Sequence, residues 1–177
     1  MATATEQLQG TYVLDPIHSS ASFAVKHMVV STFRGRFEKF DATLTDGELV
    51  GTVDVGSIVV KDENLAAHLQ SPEFFDAERH PELRFESSEI RPTGEGDEIV
   101  VDGELTIKGI TKPVEARGTL EGPAVTFGDV NKVGLTLEAI IDRTEFGLNW
   151  NAPLPKGGFA LANDVKLIVE LELAEQA

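Results

Sequence analysis

The chain has 177 residues and a formal net charge of −15, with 30 acidic side chains against 15 basic ones. Such an excess of acid argues against nucleic acid as a partner, because phosphate binding requires clustered positive charge. The chain contains no cysteine, which excludes disulfides and thiolate-ligated zinc or iron–sulfur clusters.

The N-terminal residues 1–10 lack the basic start, apolar run and cleavage site of a secretory signal. We predict that they form a disordered tail ahead of a single domain over residues 11–174. No apolar stretch approaches the roughly 20 residues that a membrane helix needs. We therefore expect a cytoplasmic protein without a membrane span.

Period-two alternation of apolar and polar residues predicts strands along most of the chain. Turn signals such as Asp46-Gly47 separate the alternating runs. About eight to ten strands follow, which predicts an all-β, antiparallel fold, either a closed barrel or a sandwich. The clearest alternating runs cover residues 21–25, 33–37, 101–107, 133–139 and 165–173.

One segment, at about residues 61–76, departs from this rhythm. Leu65 and Leu69 recur at helical spacing, Asp62 or Asn64 is a candidate N-cap, and Ser71-Pro72 is typical of a second helical turn. We predict a short helical insertion across one end of the barrel. A loop over residues 149–162 is long enough to act as a lid.

The inward faces combine small residues with flat aromatic rings. An eight-stranded barrel is just wide enough to be filled by side chains or to hold one slim ligand. Small residues opposite rings leave space for a long apolar molecule, whereas tightly packed rings form an ordinary core. The pattern alone leaves both open. The small inward candidates are Ala21, Gly35, Gly103, Ala116, Gly118 and Ala139.

The polar motifs give little support for catalysis or metal binding. The segment 15–19 places Asp15, His18 and Ser19 together, but sequence neighbours seldom form a triad, and a turn that leads into the next strand is favoured. The histidines lack the His-x-x-x-His spacing of a helical metal site, and His68 is predicted to be solvated. We predict no metal and no cofactor.

Five motifs occur in order along the chain, over residues 12–19, 23–28 with 35–37, 69–76 with 80–85, 103–114 and 143–148. Together they resemble the YceI-like family, which comprises polyisoprenoid-binding bacterial proteins of lipocalin-like fold. The resemblance runs from about Tyr12 to Leu173 and implies an antiparallel, lipocalin-like eight-stranded β-barrel with a long apolar pore. It also implies binding of a long isoprenoid-type lipid, such as a polyprenyl or quinone-like molecule.

Together these observations predict a carrier or sequestering protein for such a lipid, with no enzymatic activity. Candidate headgroup contacts are His18, His27, Arg34 and Arg143. Pairing as a homodimer is left open. The candidate pore residues are Phe23, Val25, Phe33, Phe37, Phe74, Phe75, Phe85, Leu105, Leu135, Phe146 and Trp150.

Two alternatives remain at this stage. One is a small enzyme that acts on a lipid or quinone, with His18 or His27 as general base. The other is a stress or interaction protein whose barrel is fully packed. The aromatic content of 7% is low enough to leave the packed barrel open.

Overall fold

The computed structural model describes residues 8–176, and strands make up most of it. One helix, α1 (Glu63–Gln70), is present, together with short 3₁₀ turns at Pro16–His18, Val55–Ser57, Phe127–Asp129 and Arg143–Phe146. The strands are β1 (Thr11–Leu14), β2 (Ser20–His27), β3 (Ser31–Phe37), β4 (Phe40–Thr45), β5 (Glu48–Asp54), β6 (Ile58–Val59), β7 (Glu82–Pro92), β8 (Glu98–Ile107), β9 (Ile110–Val125), β10 (Asn131–Asp142) and β11 (Leu161–Glu175).

These strands form a closed antiparallel barrel. The hydrogen-bonded order β1-β4-β5-β7-β8-β9-β10-β11 returns to its start because β11 also pairs with β1. The short strands β2, β3 and β6 continue from the other half of β11. Accordingly β1/β2, β3/β4 and β5/β6 are each one barrel strand with a break, and the predicted eight-stranded barrel is confirmed.

Local capping explains two of the breaks. At the first, Asp15 Oδ1 accepts a hydrogen bond from the Ile17 backbone N–H at 3.0 Å, while Ser19 Oγ donates to the Asp15 carbonyl at 2.7 Å. The predicted turn at this motif is therefore confirmed. At the second, Asp54 Oδ1 accepts from the Gly56 N–H at 2.9 Å. In each case the Asp side chain accepts a hydrogen bond from a backbone N–H that no longer pairs with the neighbouring strand. The strand therefore bends there at little cost in free energy.

The barrel is densely packed at the end where β1 begins and β11 finishes. Leu8, Leu44, Val101 and Leu173 are fully buried there. The burial of Leu8 corrects the predicted tail boundary at residue 10, because a fully buried leucine belongs to the core rather than to a tail. The remainder of the predicted tail, residues 1–7, lies outside the described residues.

The predicted helical insertion is confirmed in a shorter form. Asp62 caps α1 by accepting from the Leu65 N–H at 3.0 Å. Ser71 ends this helix rather than beginning a second one, and its carbonyl accepts from the Phe74 N–H at 3.0 Å in a turn. Within residues 8–176, the helices lack the length and apolarity of a membrane span.

Candidate functional site

The end of the barrel opposite the packed end is hollow. A cavity of 470 Å³ lies between β2, β3, β10, β11 and α1, within the usual size range of small-molecule sites. Its wall is almost wholly apolar, with side chains such as Phe23, Val25, Leu69 and Val165. A cavity whose wall is mainly apolar offers few polar partners for water and favours an apolar occupant.

A second, inner chamber of 160 Å³ extends from this cavity toward the packed end. The side chains of Phe37, Leu83 and Leu167 line both spaces, so the two adjoin there. Ala116 and Ala139 belong to the inner wall, where larger residues would fill the space. We refer to these two adjoining apolar chambers together as the slot.

Glycines keep this slot open by letting rings lie against the wall. Gly35 is the cross-strand partner of Phe23, and a Cβ on Gly35 would lie 2.5 Å from Phe23 Cζ. A Cβ on Gly103 would likewise lie 2.6 Å from Phe85 Cζ. Because each ring occupies the place of a missing side chain, it takes little of the interior. Whether the interior is filled or open at these two levels of the barrel therefore depends on single glycine positions.

Aromatic side chains cover the cavity from the α1 side. The rings of His68 and Trp150 meet edge to face with centroids 5.0 Å apart, and Phe74 lies 5.5 Å from Trp150. Phe75 contacts Phe37 edge to face at 6.1 Å. The prediction that His68 is solvated holds only in part. Its side chain is 33% exposed, but its ring packs against Phe74 and Trp150, and Nε2 lies 2.6 Å from Glu73 Oε2.

Arg143 joins this cover to the barrel. Its side chain is only 4% exposed and lines the main cavity. Nε donates to the Ala162 carbonyl at 2.9 Å, and Nη1 donates to the carbonyls of Trp150, at 2.9 Å, and Leu148. The guanidinium therefore holds the start of the predicted lid loop against β11.

The structure brings most predicted pore residues together. Two do not reach either chamber: Leu135 is buried in the packed end, and Phe146 is buried behind the wall of the hollow end. The pore assignments of both are corrected on that ground. Seven line the main cavity, namely Phe23, Val25, Phe33, Phe37, Phe74, Phe75 and Trp150, while Phe85 and Leu105 line the inner chamber.

The predicted headgroup residues separate into two groups. His27 and Arg143 line the main cavity. Arg34 lies on the outer face of β3, exposed to solvent, because it alternates with the inward Phe33. His18 is also outside the cavity, with its side chain 64% exposed. Arg34 and His18 are therefore corrected as headgroup contacts.

His18 instead belongs to a surface cluster at the first strand break. Its Nδ1 lies 2.8 Å from Asp15 Oδ2 and 3.6 Å from Glu172 Oε2, and Lys132 Nζ lies 3.1 Å from the same Glu172 oxygen. The hydrogen bond from His18 holds the pKa of Asp15 at about 2, and the hydrogen bond to Asp15 raises the pKa of His18. These contacts make the cluster a surface ion-pair network.

Sequence reasoning missed several wall residues. Leu83 precedes Phe85 by two positions on β7, so the period of two places both side chains inside. Leu167 follows Val165 on β11 in the same way. Period two identifies all of these as inward, but it does not distinguish a packed level of the barrel from a hollow one.

The fold and the site together define a closed antiparallel barrel with an apolar, ligand-sized interior. The family model described as YceI-like domain matches residues 12–173. The chain therefore belongs to the YceI-like family, as its motifs predict.

One relative agrees with this family, and two solved structures share the fold. The UPF0312 protein SA2479 of Staphylococcus aureus (strain N315) is 32% identical over 176 residues, covering 92% of this chain and 96% of that protein. The crystal structure of Burkholderia cenocepacia BcnA superposes with a TM-score of 0.71 at 24% identity, covering 90% of this chain and 98% of BcnA. A polyisoprenoid binding domain from Saccharophagus degradans gives 0.71 at 12% identity, with coverages of 93% and 98%.

Proposed function

We propose that this protein binds a long isoprenoid-type lipid inside the barrel and carries or sequesters it. The observation that carries the proposal is the pair of adjoining apolar spaces, a 470 Å³ cavity beside a 160 Å³ inner chamber. Each methylene moved from water into such a space contributes about 0.8 kcal/mol. A chain that fills the slot gains enough to exceed its ordering cost.

Three features support a slim, branched chain. The slot consists of two adjoining chambers that share the side chains of Phe37, Leu83 and Leu167, and two chambers in line suit a chain better than a fused ring system. Its rings, such as Phe23 and Phe33 at 5.9 Å, present flat faces on which methyl branches pack. The Saccharophagus degradans relative is named as a polyisoprenoid binding domain.

The test is native mass spectrometry of the purified protein, followed by organic extraction. We expect a lipid-sized adduct at one copy per chain that appears in the extract. Phe33→Asp places a charge in the cavity wall and should abolish the adduct, whereas Arg34→Asp, its neighbour on the outer face, should retain it. An apo mass that persists after incubation with prenyl quinones would refute the proposal.

An enzymatic role for the same cavity has one observation in its favour, because His27 lies in the lining of the cavity. A general base usually has a second group that orients its ring. Among residues 8–176, no side chain hydrogen-bonds the His27 ring, and its backbone carbonyl accepts from Ser31 Oγ at 3.1 Å. Binding is therefore the better supported function. Turnover of a bound quinone that disappears in His27→Ala, with binding retained, would favour the enzyme instead.

We further propose a cytoplasmic location, and a homodimer remains an open expectation. The acidic, cysteine-free composition suits a reducing compartment. Cell fractionation tests the location, and light scattering of the lipid-loaded protein tests the oligomeric state.

A further inference from the structure

The turn between β2 and β3 is apolar and exposed at the hollow end of the barrel. It consists of Met28, Val29 and Val30, and the two valines are 67% and 85% exposed. The exposed side chain of Phe159 belongs to the neighbouring segment, because the Met28 N–H donates at 2.7 Å to the carbonyl of the next residue, Ala160. We call Met28, Val29, Val30 and Phe159 the apolar rim.

Two residues of this turn adopt a backbone conformation that their side chains disfavour. Met28 has a φ of 51° and Val29 a φ of 68°, both in the left-handed region. A β-branched residue rarely occupies this region, which glycine and asparagine adopt most readily. The turn therefore carries valine where both backbone conformation and solubility favour a small polar residue. Such strain concentrates at functional sites, so we expect the Val29 side chain to serve a purpose other than stability.

The lining of the main cavity is most exposed beside the apolar rim. Of the described residues that line this cavity, only Met28, Ser31 and Thr32 are exposed to solvent, and all three belong to the β2–β3 hairpin. Met28 is thus part of both the cavity lining and the apolar rim. A lipid that enters beside this hairpin comes directly from whatever surface the rim contacts.

The segments that carry the apolar rim differ in charge from the rest of the chain. Acidic residues number 30 of the 177, yet the segments 24–37 and 148–163 contain none. Lys26 and Lys156 are exposed in these segments. Among residues 8–176, the lysines that form ion pairs are instead Lys132 and Lys166. An anionic surface attracts the unpaired lysines and repels the acidic remainder, which turns the rim toward it.

We propose that the apolar rim docks on the surface of a lipid bilayer, with Val29, Val30 and Phe159 inserted among the head groups, so that lipid passes between bilayer and barrel. The choice of a bilayer as partner rests on the proposed function, because the cavity for the lipid is most exposed beside the rim. Apolar and aromatic side chains flanked by lysines are also the composition that binds at a membrane interface.

The experiment measures flotation of the purified protein with phosphatidylcholine vesicles, prepared with and without phosphatidylglycerol. Val29→Asn should weaken binding to both kinds of vesicle about tenfold or more, the factor that removal of one valine from water contributes. Because asparagine tolerates the left-handed region, this variant should melt no lower than the unsubstituted protein. Lys156→Gln should weaken binding about fivefold, and only to the vesicles with phosphatidylglycerol.

Phe127→Asn is the matched control. Phe127 is fully exposed too, but it lies in the turn between β9 and β10 at the packed end, so its replacement should leave vesicle binding unchanged. The chain has no cysteine, so a polarity-sensitive fluorophore attached to Val29→Cys provides a second measurement. Its emission should shift to the blue on vesicles, whereas that of labelled Phe127→Cys should not.

Equal vesicle binding by Val29→Asn and the unsubstituted protein would overturn the docking surface. Absence of vesicle binding, with the lipid adduct still seen in native mass spectrometry, would also overturn docking and leave the proposed function intact. A dimer in light scattering that dissociates in Val29→Asn, without vesicle binding, would assign the rim to a second copy of the chain instead. Vesicle binding that depends on Val29 in a protein that holds no lipid would uphold docking and overturn the proposed function.

Discussion

A variant that fills the inner chamber is the most direct test of how long a lipid the barrel can hold. Ala139 lies in its wall but not in that of the main cavity, so a large side chain at this position fills the inner space alone. At about 30 Å³ for a water-sized group, the 160 Å³ chamber holds about five such groups. We predict that Ala139→Phe shortens the longest lipid that the barrel binds tightly by about one isoprene unit.

The magnitude follows from methylene burial. Five groups at about 0.8 kcal/mol each amount to about 4 kcal/mol, or on the order of a thousandfold in Kd, before the ordering cost of the chain is subtracted. In the unsubstituted protein, geranylgeraniol should therefore bind about ten- to several-hundredfold tighter than farnesol, which is one isoprene unit shorter. In Ala139→Phe this gain should disappear, while farnesol binding stays within about threefold.

The assay is titration of both alcohols by displacement of a fluorescent lipid, with the melting temperature recorded for each variant. Overpacking of a core position costs about 1–3 kcal/mol, so Ala139→Leu provides a milder filling of the same space. Ile140→Phe, on the exposed outer face next to Ala139, is the matched control and should leave both affinities unchanged. An undiminished gain for geranylgeraniol in a folded Ala139→Phe would refute the assignment of the inner chamber to the lipid.

Three further predictions concern the rest of the structure. Gly35→Ala should weaken lipid binding about tenfold or more with little change in melting temperature, because its Cβ would displace the Phe23 ring into the cavity. A Kd from isothermal titration equal to that of the unsubstituted protein would contradict this. Trp150→Ala should speed lipid release in stopped-flow measurements, since its ring covers the cavity beside His68; unchanged release would show that the lipid leaves elsewhere. The raised pKa of His18 stabilises the fold below the unfolded value of about 6.5 and loses that effect as the pH rises through the folded value. The melting-temperature advantage over His18→Gln should therefore shrink as the pH rises above about 6.5.

The fold was largely predictable from the sequence, because alternation and turn chemistry are local signals. Asp15 forms a turn through its own side-chain hydrogen bond, and Asp46-Gly47 forms one through positive φ angles. Both turns are present in the structure. The breaks that divide β1 from β2 and β5 from β6 were harder to predict. They interrupt the hydrogen-bond ladder without reversing the chain, so they leave the alternation of apolar residues almost unchanged.

The site was only partly predictable, because period two states which face a residue occupies but not the level of the barrel at which it lies. Leu135 and Leu167 both point inward, yet Leu135 packs in the filled end and Leu167 lines both chambers. The headgroup prediction for His18 rests on its place beside a strand, and that for Arg34 on its positive charge; neither signal states which way the side chain points. Their outward direction follows from a 3₁₀ turn and from the phase of β3, respectively.

The closed end of the barrel contributes mainly to stability, whereas the hollow end contains the proposed binding site. Leucine and valine side chains such as Leu44 and Leu173 fill the closed end, where fully buried residues contribute about 1.5–3 kcal/mol each. The hollow end replaces such contacts with rings laid over glycine, as at Gly35 and Phe23, and therefore gains less from folding. The proposed lipid would supply contacts that this end lacks, so we expect ligand binding to stabilise the hollow end in particular.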